Sequence, residues 1–246
     1  MKNQYFGDIR DLFKYDLIQN IVAQSKILER CIWVPMLTDN DERRDGEKRS
    51  DPRAGWHNQE LKAFLDNYDK GKSERNISHL QSVRFFCEPR VLVFSLHRKR
   101  SEFLPDFVHS SRQRYFAEVV GALRPNSLLF LDPDTGIETP SRRRERHVLL
   151  REIAGLHSAM DASSVLMIYQ HLHMVQRPEF FRNVSQRIVQ ERHLQPLYVS
   201  DNEIAFFFLS KAPGVHRELS GLLRVYAAEY PPNILAGPEP GVSSGA

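Results

Sequence analysis

The composition describes a chain with a sizeable core and nearly balanced charge: 246 residues, 41% apolar, with 34 basic and 31 acidic residues for a net charge of +3. This length suits one α/β domain, and so small a charge does not by itself indicate binding to nucleic acid. No apolar run approaches the roughly 20 residues of a membrane span, so we expect no membrane contact. The N-terminus lacks the apolar region of a signal peptide, and Cys31 and Cys87 form no CxxC pair. We therefore expect a cytoplasmic protein.

Helices and strands alternate along the sequence. A helix is predicted over 8–29, where Asp8 is a suitable N-cap and apolar residues recur with a period of about 3.6. Further helices are predicted over 56–67, about 101–123, 147–160, 178–193 and 219–229, and strands over 31–37, 91–96, 127–131 and 164–169. A charged loop is expected over 38–52, and either a helix or an irregular segment over 77–86. A hairpin of 197–199 and 204–209 follows the fourth strand, with Asp201 and Asn202 at its turn.

This alternation predicts an α/β fold. Strands with continuous rather than alternating apolar runs are typical of a mostly parallel sheet covered by helices on both faces. We expect a three-layer sandwich of the Rossmann-like methyltransferase type, with an antiparallel C-terminal hairpin at one edge of the sheet. Residues 1–235 would form this single domain, and the Pro-, Gly- and Ser-rich segment 236–246 would be a disordered tail.

Polar side chains follow three of the predicted strands, at the sheet edge where ligands bind in open α/β folds. Catalytic candidates follow the third and fourth strands, namely Asp132, Asp134, Gln170 and His171. An aspartate that ends a buried strand is costly unless it caps a helix, binds a metal or contacts a ligand. His171 could act as a general base and Gln170 could bind a substrate amide or base edge. The alternative is a polar turn and a structural histidine.

The N-terminal motif YFGDIRDLFKY and the arginine clusters also suggest function. Asp11, Lys14 and Tyr15 share one face of the predicted helix, either as part of a site or as a surface salt bridge. Arginines cluster at 43–44, 98–100, 112–114 and 142–146. If these clusters lay on one face they would follow a phosphate backbone, and otherwise they are solvated surface.

Four motifs carry a resemblance to known families: YFGDIRDLFKY, WVPMLTDNDERRDG, LLFLDPDTGIE and MIYQHLH, within residues 4–177. They resemble the motifs YFGD-x-x-D-x-x-KY, MLT-x-x-D, FFDPDNGLE and YQH of a largely uncharacterised bacterial family. More distantly, the chain is similar to Rossmann-like N6-adenine methyltransferases of ribosomal RNA. Their G-N-x-A-D-x-x-K-H segment matches the spacing from Gly7 to Tyr15, and their catalytic D-P-P-Y falls on 132–135. The chain is also similar to three-Cys-motif partner proteins, which carry D-P-F-G at that place.

The resemblance implies an S-adenosylmethionine-dependent enzyme that acts on nucleic acid. The cofactor would lie near the N-terminal motif and the end of the first strand, at Gly7, Asp11, Lys14, Tyr15, Thr38 and Asp39. The chain departs from the D-P-P-Y pattern at Asp134 and Thr135, so the aromatic residue that would stack a flipped adenine is missing. The Gly-rich cofactor loop is replaced by an acidic one.

Two other functions remain open on sequence grounds. Asp132, Asp134 and Glu138 are hard oxygen ligands that suit Mg²⁺ or Mn²⁺, so the same cleft could hydrolyse a phosphodiester. Alternatively, the chain could be a non-catalytic Rossmann-like partner protein.

Overall fold

Nine strands lie within the described part of the chain, and seven of them form one sheet. The computed structural model describes residues 2–38, 54–68, 75–76, 79, 93–95, 109–139, 146–172, 177–189, 194–230 and 234–237. The strands are β1 (Arg30–Pro35), β2 (Val93–Ser95), β3 (Ser127–Asp132), β4 (Gly136–Ile137), β5 (His147–Val148), β6 (Val165–His171), β7 (Leu197–Ser200), β8 (Ile204–Ser210) and β9 (Leu235–Gly237). The large sheet has the order β2-β1-β3-β6-β8-β7-β9, and β4 pairs with β5 alone.

The sheet is mainly parallel and becomes antiparallel at one end. β2, β1, β3 and β6 run parallel to one another, whereas β8 runs antiparallel to both β6 and β7. The predicted hairpin is therefore present, formed by β7 and β8. It does not end the sheet, because β9 pairs antiparallel with β7.

Helices cover both faces of the sheet, as the continuous apolar strands predict. All six residues of β3 are buried, so each face of that strand is packed. The helices are α1 (Ile9–Gln24), α2 (Gln59–Asp66), α3 (His109–Ala122), α4 (Leu150–Ala159), α5 (Arg177–Val189) and α6 (Pro213–Ala228), preceded by a 3-10 turn (Asn3–Tyr5). α1, α2 and α6 contribute to the apolar cluster on one face, and α3, α4 and α5 to that on the other.

The strand order of the sheet changes direction between β1 and β3. β2 lies on one side of β1, whereas β3 and then β6 lie on the other. In the parallel register, Pro35 at the end of β1 is opposite Asp132 at the end of β3. The carboxyl ends of β1 and β3 therefore flank the topological switch point, where open α/β sheets bind their ligands.

Several element boundaries differ from the predicted ones. α1 ends at Gln24 instead of residue 29, because Ser25 Oγ accepts hydrogen bonds from the N–H groups of Ile27 and Leu28 and so turns the chain. α6 begins at Pro213, six residues before the predicted Leu219, because proline is well suited to the first turn of a helix.

The segment 147–160, predicted as one helix, is divided. His147 and Val148 form β5 against β4, and α4 begins only at Leu150. β9 also takes Ala236 and Gly237, which the sequence assigned to the tail, into the sheet. The 39–52 part of the charged loop, most of 77–86 and residues 238–246 lie outside the described residues.

Candidate functional site

A buried ion triad forms at the carboxyl end of β3. Lys14 Nζ is 2.9 Å from Asp11 Oδ1 and 3.0 Å from Asp132 Oδ2. Asp11 and Lys14 come from one face of α1, as their spacing predicts, and Asp132 is the last residue of β3. Asp132 is only 1% exposed, and Asp11 and Lys14 are also buried. The triad thus joins the N-terminal motif to the motif that ends β3.

The charged groups of this triad alter each other's pKa. Burial alone would lower the pKa of Lys14, but the carboxylates of Asp11 and Asp132 outweigh burial and raise it, so Lys14 stays an ammonium. Burial raises the pKa of Asp11, and the adjacent Lys14 opposes that rise. The triad thus holds one ammonium between two carboxyl groups.

The start of α1 sets the position of Asp11 and Lys14. Gly7 has a φ of +83°, and its N–H donates to Asp11 Oδ2 at 3.0 Å. Asp8 is the N-cap, whose Oδ1 accepts from the N–H groups of Arg10 and Asp11. Burial, followed by the charge of Asp11, raises the pKa of Asp8 to about 6. The polar atoms of this motif are therefore engaged in building the site.

Trp33 is a site residue that the sequence analysis missed. Its indole Nε1–H donates to Asp132 Oδ2 at 3.2 Å, and the side chain is buried on the same face of the sheet as α1. The available signal was a tryptophan near the end of an otherwise aliphatic strand, because a buried indole N–H needs an acceptor.

Aromatic rings surround the ammonium of Lys14. Its Nζ lies 5.6 Å from the centroid of Tyr15 and 5.2 Å from that of Tyr169, within the range of cation–π attraction. Burial, followed by the charges of Asp11 and Asp132, raises the pKa of Tyr15, so its hydroxyl stays protonated. Tyr15 was predicted as a cofactor contact, and its ring lies against the ammonium of Lys14 and edge-on to Trp33.

The two oxygens of Asp132 differ in their hydrogen bonding. Oδ2 accepts from both Lys14 and Trp33, whereas within the described residues Oδ1 receives no hydrogen bond. The backbone carbonyl of Asp132 accepts from Met36 N–H, which ties the ends of β3 and β1 together. Asp132 is thus fixed through one oxygen, and the other retains its accepting capacity.

Gln170 and Gly136 form a clamp on the turn that follows Asp132. Gln170 Oε1 accepts from Ile137 N–H at 2.8 Å, and its Nε2 donates to the carbonyl of His171. Gly136 has a φ of +132°, and a Cβ there would overlap the side-chain amide of Gln170. The backbone N–H of His171 donates to the carbonyl of Thr135. The two sequence motifs therefore meet, with Gln170 holding the turn through its side chain.

The other carboxylates of the turn point to different partners. Asp134 Oδ2 lies 3.7 Å from Arg146 Nε, and Glu138 Oε1 accepts from Leu150 N–H at the start of α4. Together with Asp132, these residues were the predicted metal ligands. Within the described part of the chain, no group of three or more His, Cys, Asp or Glu side chains has the arrangement of a metal site.

The end of β1 and the arginine clusters are only partly described. Thr38 is half-buried beyond the end of β1, and Asp39, another predicted cofactor contact, lies outside the described residues. Arg112 is buried against Glu152 and donates to the carbonyl of His147, so it supports α4 instead of forming a phosphate-binding surface. Arg114 is exposed and pairs with Glu118 on its own helix.

Comparison with known proteins gives a weak structural likeness and no family. No protein-family model matches the sequence, and no curated protein matches it. A crystal structure of the protein LPL1258 from Legionella pneumophila str. Philadelphia 1, assigned to the family model DUF519, is 10% identical with a TM-score of 0.47, over 94% of this chain and 96% of that one. Among the described residues, no helix has the length and apolar character required to cross a membrane.

Proposed function

We propose that the protein is an S-adenosylmethionine-dependent, methyltransferase-like enzyme that acts on nucleic acid, with its site at Asp132. The observation that supports this most is the position and bonding of that carboxylate. It lies at the switch point between β1 and β3 and is held through Oδ2 by Lys14 and Trp33. Oδ1 is left to accept a hydrogen bond from a substrate amine.

The strand order supports a methyltransferase-type sheet. In the Rossmann-like methyltransferases that the sequence resembles, an antiparallel strand lies in an otherwise parallel sheet near its C-terminal end. Here β8 takes that position, between β6 and β7. On this assignment β3 would be the strand that delivers the D-P-P-Y motif, and Asp132 would correspond to the catalytic aspartate.

The residues around the switch point divide into two roles under this proposal. Asp11 and Lys14 pair with each other, and Tyr15 lies against Lys14, so these residues would support Asp132 instead of touching the cofactor. Thr38 and Asp39, beyond the end of β1, would hold the cofactor, which supplies the methyl group. Asp132 would accept a hydrogen bond from the nucleophilic amine and orient its lone pair.

The metal-dependent nuclease is less well supported by the geometry. It requires Asp132, Asp134 and Glu138 to converge on one ion, whereas the structure gives each a different partner: Lys14, Arg146 and the N–H of Leu150. Among the described residues, no observation favours a non-catalytic partner protein over an enzyme.

Calorimetry tests the cofactor. We expect S-adenosylmethionine to bind with and without a chelator, and Asp132→Asn to weaken methyl transfer from labelled cofactor to bulk RNA or DNA. Asp66→Asn is the control, because that aspartate pairs with Lys62 on the surface of α2. Binding of Mn²⁺ with no binding of the cofactor would overturn the proposal in favour of the nuclease.

A salt series tests the nucleic-acid substrate separately. When binding depends on phosphate contacts, the logarithm of the binding constant falls linearly with the logarithm of the salt concentration. The slope is near −0.9 for each phosphate neutralised on duplex DNA. A flat response, with transfer to a small-molecule amine instead, would remove nucleic acid as the substrate and leave the methyltransferase chemistry in place.

A further inference from the structure

We propose that Trp33 is the positioning residue that orients Asp132, whereas Lys14 forms an ion pair with it. This rests on the proposed function, in which the direction of Asp132 Oδ1 determines whether the substrate amine is aligned. Both side chains donate to Oδ2, at 3.2 Å from Trp33 Nε1 and 3.0 Å from Lys14 Nζ.

The two donors differ in what they can fix. An ammonium is a compact charge with three equivalent donors on a flexible stem, so it attracts a carboxylate without defining its rotation. An indole has a single N–H in the plane of a rigid ring, and that N–H must find an acceptor when it is buried. The direction of the Asp132 carboxylate is therefore set by the ring.

The backbone and the ring of Trp33 are both held in place. Its backbone lies in β1 opposite Phe130 of β3, in a register that six residue pairs maintain. Its centroid is 6.1 Å from that of Tyr15 at an interplanar angle of 78°, an edge-to-face contact. With 2% exposure the ring has little room to change rotamer, so its N–H has a fixed direction.

The two tryptophans of the chain provide a matched pair of variants. Trp33→Phe removes the donor and keeps an aromatic ring, and Trp56→Phe makes the same change in a side chain that is 46% exposed and contacts His57. We expect Trp33→Phe to lower kcat for methyl transfer by roughly tenfold to a hundredfold, with less than about a twofold change in the KM of the cofactor. Trp56→Phe should leave both constants unchanged.

An NMR measurement tests the contact without activity. The chain has two tryptophans, hence two indole N–H signals, and Trp56→Phe assigns them. We expect Asp132→Asn to shift the Trp33 signal and to leave the Trp56 signal in place. This variant retains both indoles, so it is informative even if Trp33→Phe does not fold.

The outcomes separate the inference from the proposed function. Equal kcat values in Trp33→Phe and Trp56→Phe, or a Trp33 signal that does not respond to Asp132→Asn, would overturn the positioning role. If the parent protein transfers no methyl group, the proposed function fails, and the indole signal alone decides whether Trp33 orients Asp132.

Discussion

Two buried carboxylates, Asp16 on α1 and Asp132 beside it, show how differently the protein uses the same group. Asp16 is satisfied by neutral donors on both oxygens: Tyr226 and Tyr230 donate to Oδ2, and Asn58 donates to Oδ1. Asp132 is held by a cation and an indole on one oxygen alone. The Asp16 cluster joins α1, α2 and the C-terminal end of α6, and lies away from the switch point.

The difference separates a structural carboxylate from a candidate functional one. A buried carboxylate contributes most to stability when all its accepting positions are filled, because an unfilled position costs free energy. Asp16 accepts hydrogen bonds on both of its oxygens, whereas Asp132 accepts them on Oδ2 alone within the described residues. The four predictions that follow test the comparison, from the largest expected effect to the smallest.

Lys14→Met should be the most destabilising change, with a loss of about 3–5 kcal/mol in the free energy of unfolding. It removes the only cation that contacts both Asp11 and Asp132 within the described residues and leaves two buried carboxylates facing each other. Urea titration measures the loss. The control is Lys62→Met, which breaks an exposed pair with Asp66 and should cost less than about 1 kcal/mol. Equal effects of the two variants would contradict the description of the triad as buried.

Asp8→Asn should change how stability depends on pH. The pKa of Asp8 is raised from 3.8 to about 6, so the folded state retains a proton that the unfolded chain loses between those values. Its contribution to stability is therefore complete below pH 4 and is lost as pH rises to about 6, at most roughly 3 kcal/mol. Asparagine keeps the capping oxygen without the charge. In urea titrations, the free energy of unfolding of the variant should rise relative to that of the parent protein across this window. An equal difference at pH 4 and pH 7 would contradict the prediction.

Gly136→Ala should cost about 2 kcal/mol, because the backbone there is left-handed and Gln170 fills the space beside it. The same change at Gly121 is the control. That glycine lies in α3, and a Cβ added to it would meet nothing within 4 Å, so alanine should stabilise the helix by roughly 0.5–1 kcal/mol. Thermal unfolding compares the pair. A loss at both positions would show that the clamp is not the cause.

Tyr226→Phe should have the smallest effect, a loss of about 1 kcal/mol, because it removes one of three donors to Asp16. Cofactor binding and methyl transfer should not change. Asp132→Asn should instead lose methyl transfer, with only a modest decrease in the free energy of unfolding. If Tyr226→Phe reduced transfer as much as Asp132→Asn, the distinction between the two carboxylates would fail.

The parts of the site that were predicted from sequence depend on local spacing. Asp11, Lys14 and Tyr15 were placed on one helix face by their separation, and Asp132 at a buried strand end by the apolar run before it. Both placements are confirmed. That these residues meet, with Lys14 between the two aspartates, depends on contacts 118 residues apart, which no local pattern encodes.

The roles of Trp33 and Gln170 were missed because they also depend on contacts between distant parts of the chain. Trp33 reads as another core residue until β1 is placed beside β3, and Gln170 reads as a ligand-binding amide until β6 is placed beside the turn at Gly136. β4 and β5, of two residues each, are too short to have a periodicity, so His147 and Val148 were assigned to the adjacent helix.

The position of α1 in the chain has a consequence for synthesis. α1 supplies Asp16, whose partner Tyr226 follows 210 residues later. At roughly 5–20 residues per second, about 10–40 s pass before α1 can complete its contacts. Until then α1 lacks its contacts with α6, including that of Phe13 with Tyr226. A ribosome that stalls before α6 would therefore leave those contacts of α1 unmade.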